Sequence, residues 1–150
     1  MSVDQELAPL VKKVVVPVRP ERAFEVFTAE IAAWWPLATH SVAQEKARDL
    51  RFEGAVGGRI VEYDADGEVG SWGTVSDWDP PKSVSFTWHP GTDPQQAGHV
   101  TVMFTAVDGG TEVELVHTGW ERRPDGARAR TGYNTGWDYV LGRYVAGAQL

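Results

Sequence analysis

The stretch TEVELVHTGWERRPDGARARTGYNTGWDYVLGRYV, residues 111–145, decides the fold, because its apolar period changes once along its length. In its first part Val113 and Leu115 alternate with Glu112 and Glu114, the pattern of a strand with one apolar face. His117 and Gly119 stay in phase with the apolar set, so His117 is expected on the inner face, beside Trp120. Pro124 and Asp125-Gly126 then break the pattern between Arg122 and Gly126. Beyond the break Tyr133, Trp137, Val140, Leu141, Tyr144 and Val145 fall at i, i+4, i+7, i+8, i+11 and i+12, a single stripe along a long helix. Arg130 extends that face toward the helix start. A strand with one apolar face and a helix with one apolar stripe must each bury it, and the helix is expected to lie against the sheet.

Upstream, from residue 48 to 118, short runs are punctuated by Gly, Pro and Asp at intervals of about 8–12 residues, which predicts an antiparallel sheet. Strands are expected near 49–53, 58–64, 70–78, 83–89, 98–107 and 111–119. Their turns are Gly57-Gly58, Asp66-Gly67, Asp79-Pro80-Pro81, Pro90 to Gly98, and Asp108-Gly109-Gly110. Val84, Phe86 and Trp88 alternate with Ser83, Ser85, Thr87 and His89, and Val100, Val102 and Phe104 with His99, Thr101, Met103 and Thr105. His89 and His99 are thereby expected on the solvated face. VKKVVVPV, residues 11–18, reads as a seventh strand, confined to an edge by Pro17. Arg19-Pro20-Glu21-Arg22 opens a helix over about 20–28, with Pro at its start. A second short helix over 29–35 is stopped by Pro36. The result is one α+β domain over residues 1–150: a curved seven-stranded antiparallel sheet around a long C-terminal helix, with two short helices after the first strand. A bent sheet and a straight rod part company somewhere along their length, and a cavity is expected there, its end closed by the two short helices.

Composition narrows the function. Apolar residues at 42% and charged residues at 23% are those of a soluble folded domain. Fourteen Lys and Arg against 21 Asp and Glu give a net charge of -7, which repels phosphate backbones and anionic lipid, so neither nucleic acid nor membrane insertion is expected. Without Cys there is no thiolate chemistry, and His40, His89, His99 and His117 show no metal-ligand spacing, so no metal and no cofactor are expected. MSVDQELAPLVKKVVV lacks the features of a secretory leader, which gives a cytoplasmic expectation. No phosphate loop, dinucleotide fingerprint or Ser-His-Asp grouping occurs in its required context.

The aromatic content is high, with seven Trp, five Phe and four Tyr, and wide rings in excess of core needs suggest a lined cavity. The adjacent Trp34 and Trp35 end the short helix pair and point about 100° apart, so one of them is expected to face the cavity. Phe86, Trp88 and Phe104 on the sheet and Tyr133 and Trp137 on the helix are the expected walls, with His117 and Trp120 near the strand end. Arg59, Arg130 and the Tyr133 hydroxyl are candidate polar groups for orienting a ligand. Arg122, Arg123, Arg128 and Arg130 against Glu121 and Asp125 make a locally basic patch suited to a carboxylate or phosphate.

The runs VPVRPERAFEVFTAEIAAWWP, FEGAVGGRIVE, WGTVSDWDPPKSVSFTW, GTEVELVHTGWE and GYNTGWDYVLGRY together resemble the START-like superfamily, also called SRPBCC or birch-allergen-like. Within it the chain is most similar to the family named after the activator of the 90-kDa heat-shock chaperone ATPase. The resemblance implies a helix-grip fold with a deep apolar cavity between sheet and C-terminal helix. Gly57-Gly58-Arg59 and Asp79-Pro80-Pro81 match backbone devices of that family. Superfamily members carry lipids, bind plant hormones, cyclise polyketides or sequester toxic metabolites. The first expectation is therefore non-catalytic binding of a hydrophobic or aromatic small molecule, with sequestration of, or self-resistance to, a toxic natural product as a variant. In a sacrificial form of that variant, Gly119, Gly132 or Gly136 would be the target. A polyketide cyclase/dehydratase-like enzyme using His117 or a nearby Tyr is the alternative. A chaperone-activating interaction module is the third, weakened because the N-terminal chaperone-binding domain of such proteins has no counterpart in these 150 residues.

Overall fold

The computed structural model describes residues 6–149. Strand β1 (Leu10–Val16) leads into helices α1 (Pro20–Phe27) and α2 (Ile31–Trp34). Six strands follow: β2 (Ala47–Phe52), β3 (Arg59–Asp64), β4 (Gly67–Asp79), β5 (Ser83–Trp88), β6 (Gly98–Val107) and β7 (Gly110–Thr118). A 3-10 turn at Trp120–Arg122 then precedes helix α3 (Gly126–Ala148). The strands form one antiparallel sheet in the order β1-β7-β6-β5-β4-β3-β2, a meander with β1 laid against its last strand. This is the α+β helix-grip arrangement that the sequence predicts. β1 is an edge strand and ends at Val16, where Pro17 has no N–H to offer a ladder. β4 starts at Gly67, earlier than expected, because the chain turns back tightly at Asp66-Gly67.

Curvature comes from irregular pairing. Register shifts fall between Ala47 and Asp49, Ile60 and Val61, Glu62 and Tyr63, and Val75 and Asp77, all on strands β2 to β5. Each bulge bends its strand and raises the local twist, so this half of the sheet wraps toward α3. α3 buries the predicted stripe, with Trp137, Val140, Leu141 and Tyr144 all inside. Its start docks closely on the 3-10 turn: a Cβ at Gly126 would lie 2.0 Å from the Trp120 carbonyl oxygen, so only glycine fits. The Tyr144 hydroxyl donates to the Ala23 carbonyl at 2.8 Å and ties the far end of α3 to α1.

The apolar set is buried as predicted, but the polar set is not all in solvent: Ser85, in the middle of β5, is buried and bonded to the Thr101 hydroxyl at 3.0 Å. Val84, Phe86 and Trp88, Val100, Val102 and Phe104, and Val113, Leu115 and His117 are all buried. His89, expected in solvent, is also buried, at 9% exposure. It follows the last residue of β5, and its N–H donates to the Trp72 carbonyl at 2.6 Å, so strand parity does not govern it. Most of the space between sheet and helix is filled: the Phe27 ring lies 5.4 Å from Trp34, 6.0 Å from Phe104 and 5.1 Å from Tyr144. The larger open space lies at one end, beside the N-terminal half of α3, and a smaller one opens between α1 and Trp78. No helix among the described residues is long and apolar enough to cross a membrane.

Candidate functional site

At that end α3, the segment after α2 and the segment after β5 diverge around a cleft of about 570 Å³, within the size range of small-molecule sites. Trp35, Trp88, Tyr133 and Trp137 supply its aromatic walls, Val42 and Val140 add aliphatic surface, and Thr39 to Ser41 and Pro90 to Thr92 form the rim. The helix contributes Ala129, Gly132, Tyr133, Gly136 and Trp137, a face on which aromatic and small residues alternate by helical turns. A Cβ built at Gly132 or Gly136 would meet no atom within 4 Å, so the space beside this face exists because those side chains are missing.

The wall opposite the helix stands on a buried carboxylate. Glu62 is fully buried and accepts from the Val42 and Ala43 N–H groups at 2.8 Å each and from Trp72 Nε1 at 3.0 Å. Ser41 Oγ donates to the Leu37 carbonyl at 2.6 Å, and Trp35 Nε1 to the His40 carbonyl at 2.7 Å, which folds residues 35–43 onto themselves. The sequence reading missed Glu62. An acid inside a strand ordinarily marks a solvated position, yet Glu62 lies two residues after buried Ile60 on the same face of β3 and opposite buried Leu50, so plain alternation points it inward.

Six of the seven tryptophans are buried. Trp34, Trp35, Trp72, Trp120 and Trp137 each place their indole N–H on an acceptor. Trp88 is the exception: among the described residues its Nε1 is the one buried side-chain donor without a partner. Its ring lies 5.8 Å from Trp35 and 5.4 Å from Trp137, in the wall of the cleft. The Tyr133 hydroxyl is near enough to interact with the Trp88 indole, but no hydrogen bond is completed between them. Burial pushes the Tyr133 hydroxyl up, against smaller opposing pulls from Trp88 and the charge of Arg123, so it is a protonated donor at neutral pH.

His117 sits behind this wall. Its Nδ1 accepts from Trp137 Nε1 at 3.0 Å, which places the ring proton on Nε2, and its ring packs 4.0 Å from Trp120 and 5.0 Å from Tyr133. Burial, with smaller contributions from Arg123 and His99, pushes the imidazole down to about 3, so it is neutral. It fixes Trp137 and is absent from the cleft lining.

Of the residues singled out from sequence, Trp35, Trp88, Tyr133 and Trp137 come together at the cleft. Trp34, Phe86, Phe104 and Trp120 are packed in the core and His117 is buried behind the wall, and none of them lines the cleft. Arg59 is on the surface, paired with Glu68 at 3.3 Å. Arg130 donates to the Ala8 carbonyl at 2.6 Å and fastens α3 to the chain before β1. Arg123 and Arg128 from the basic patch do line the cleft, with Asp125 between them, whereas Arg122 does not. His40, Thr39 and Ser41 were not assigned a ligand role by the sequence, since loops carry no period that would orient them. No group of three or more His, Asp or Glu among the described residues is placed to hold a metal ion.

A curved sheet gripping a C-terminal helix, with an aromatic cleft at their open end, defines a START-like domain. Residues 17–146 match the family described as Activator of Hsp90 ATPase homolog 1-like protein, and the chain belongs to it. Among solved structures it is similar to an anthrahydroquino-Gama-pyrone synthase, Txn09, complexed with SUM, at 34% identity over 93% of this chain and 96% of that one, with a TM-score of 0.63. It also shares its fold with protein MLL2253 from Mesorhizobium loti, at 23% identity over 94% and 96% of the two chains and a TM-score of 0.67. A third is the Aha1 dimer from Colwellia psychrerythraea, at 18% identity over 89% and 90% and a TM-score of 0.65. No curated protein matches the chain.

Proposed function

We propose that the protein binds a planar, oxygenated aromatic molecule in the cleft between α3 and the segments after α2 and β5. The observation that carries this reading is the unpaired, buried Nε1 of Trp88 in a wall otherwise made of rings. Flat aromatic walls favour a flat guest through stacking and area burial, and a donor with no protein partner favours a guest with an acceptor oxygen. The similarity to a synthase whose name describes a fused anthrahydroquinone and pyrone is in keeping with such a guest. Chaperone activation gains no support from the cleft.

A saturating titration with 1,8-dihydroxyanthraquinone tests the reading. Tryptophan fluorescence is expected to quench along a single-site curve and the melting temperature to rise, because a ligand bound only to the native state stabilises it by about 2.7 kcal/mol at a hundredfold excess over Kd. In Gly136→Leu the leucine side chain would occupy the cleft. That variant is expected to fold with about 0.5–1 kcal/mol of added helix stability and to lose the quenching. Binding by Gly136→Leu equal to that of the native chain would overturn the site, and absence of saturable quenching in the native chain would overturn the reading.

A second reading, a ring-closing enzyme of the polyketide cyclase kind, is favoured by the 34% identity to Txn09. In it the Tyr133 hydroxyl would donate to a carbonyl of the bound substrate, because His117 is neutral, engaged and behind the wall. Recovery of the guest unchanged separates binding and sequestration from turnover.

A further inference from the structure

The chemical class of the guest can be narrowed from the charges at the mouth. Three charged side chains line the cleft, Arg123, Asp125 and Arg128. Asp125 is held by Arg123, which donates Nε to one carboxylate oxygen at 2.8 Å and a terminal nitrogen to the other at 3.0 Å. Arg128 makes no side-chain hydrogen bond or ion pair with another described residue, and it is exposed at the rim. The mouth thus carries one surplus positive charge on a chain whose overall charge is -7. Deeper in, Trp88 Nε1, on an indole 5% exposed, is a buried donor without a partner among the described residues, and the protonated Tyr133 hydroxyl beside it can donate as well as accept. Donors at the floor and a free guanidinium at the entrance select against a cationic guest and for one rich in acceptors.

We propose that the guest is an aromatic acid, bound with its ring oxygens accepting from Trp88 Nε1 and the Tyr133 hydroxyl and its carboxylate meeting Arg128 at the mouth. This rests on the aromatic-guest reading and adds the sign of the guest's charge. A planar guanidinium pairs with a carboxylate through two parallel N–H donors, geometry that a neutral amide cannot return. The field of Arg123 reaches inward as well, since it acts on Tyr133 and His117.

Anthraquinone-2-carboxylate and anthraquinone-2-carboxamide, matched in shape and differing in charge, are the probes. At low salt the native chain is expected to bind the acid about twofold to fivefold more tightly than the amide, the range for a partly solvated ion pair. The advantage is expected to vanish in Arg128→Gln, a surface change that leaves the core intact, and to shrink at about 1 M salt. Trp88→Phe is expected to weaken both probes while leaving the acid-to-amide ratio as it was. Equal affinity for acid and amide in the native chain, or a ratio unchanged by Arg128→Gln, overturns the assignment of charge while leaving the aromatic guest standing. Failure of both probes to bind overturns the two readings together.

Discussion

Glu62→Ala is expected to lower the unfolding free energy by about 3 kcal/mol, because it strands three donors at once. The carboxylate is fully buried and takes the Val42 and Ala43 amides and the Trp72 indole. Trp72 packs 5.2 Å from Trp35 and 5.7 Å from Trp88, so its N–H cannot turn to water without disturbing the cleft wall. The two amides belong to the partly exposed segment after α2 and can recover water if that segment loosens, which holds the cost below three full desolvation penalties. Urea unfolding gives the energy, and hydrogen exchange at Val42 and Ala43 gives the loosening. Glu62→Gln is the sharper probe, since an amide nitrogen would face an N–H where an oxygen now accepts. An unchanged urea midpoint in both variants would show that the carboxylate does not support the wall.

Acidification from pH 7.5 to 5.5 is expected to cost about 1.4 kcal/mol of stability through His117 alone. The unfolded chain takes up a proton as the pH falls through the ordinary histidine value of 6.5, whereas the buried native ring does not until about 3. The stabilising contribution is therefore whole above pH 6.5, declines by about 1.4 kcal/mol per pH unit below it, and is exhausted near pH 3. His117→Gln isolates the effect: its amide oxygen can still accept from Trp137 Nε1, but it does not titrate in this range. The native chain should show a slope between pH 7.5 and 5.5 that the variant lacks. Parallel stability curves would mean that the native ring accepts a proton in place, contrary to its burial and its bond from Trp137.

The fold is legible in the sequence where a period runs long enough to orient residues. β5, β6 and β7 alternate over six or more positions and α3 carries its stripe over more than three turns, so their inner faces were set by residue spacing. The edge position of β1 followed from Pro17, which ends the strand. What spacing leaves open is depth. Phe86, Trp88 and Phe104 share one inward face, yet only Trp88, at the last position of β5, reaches the cleft; the other two lie farther along the sheet, under α1 and beside Phe52. Glu62 shares the inward parity of Ile60, but its charge argues for solvent, and only the folded chain supplies the Val42, Ala43 and Trp72 donors that hold it inside. Arg59 and Arg130 were reasonable polar candidates by type, but each has a partner elsewhere that only the folded chain brings near: Glu68 across the β3–β4 pair, and the Ala8 carbonyl from the far end of the sequence. The rim residues Thr39, His40 and Thr92 lie on segments without period, which the sequence locates but cannot aim.

In the proposed function the buried Trp88 donor, without a partner among the described residues, is met by the guest. A proton–nitrogen correlation spectrum of the indole groups, recorded while 1,8-dihydroxyanthraquinone is added, tests it most directly, because all seven indoles report separately. The Trp88 Nε1–H signal is expected to move downfield as it gains an acceptor, with smaller shifts at Trp35 and Trp137 in the same wall. Trp34 and Trp120, bonded to the Val26 and His117 carbonyls away from the cleft, should hold still. A Trp88 signal that stays fixed while the probe binds, or shifts centred on Trp34 or Trp120, would contradict it.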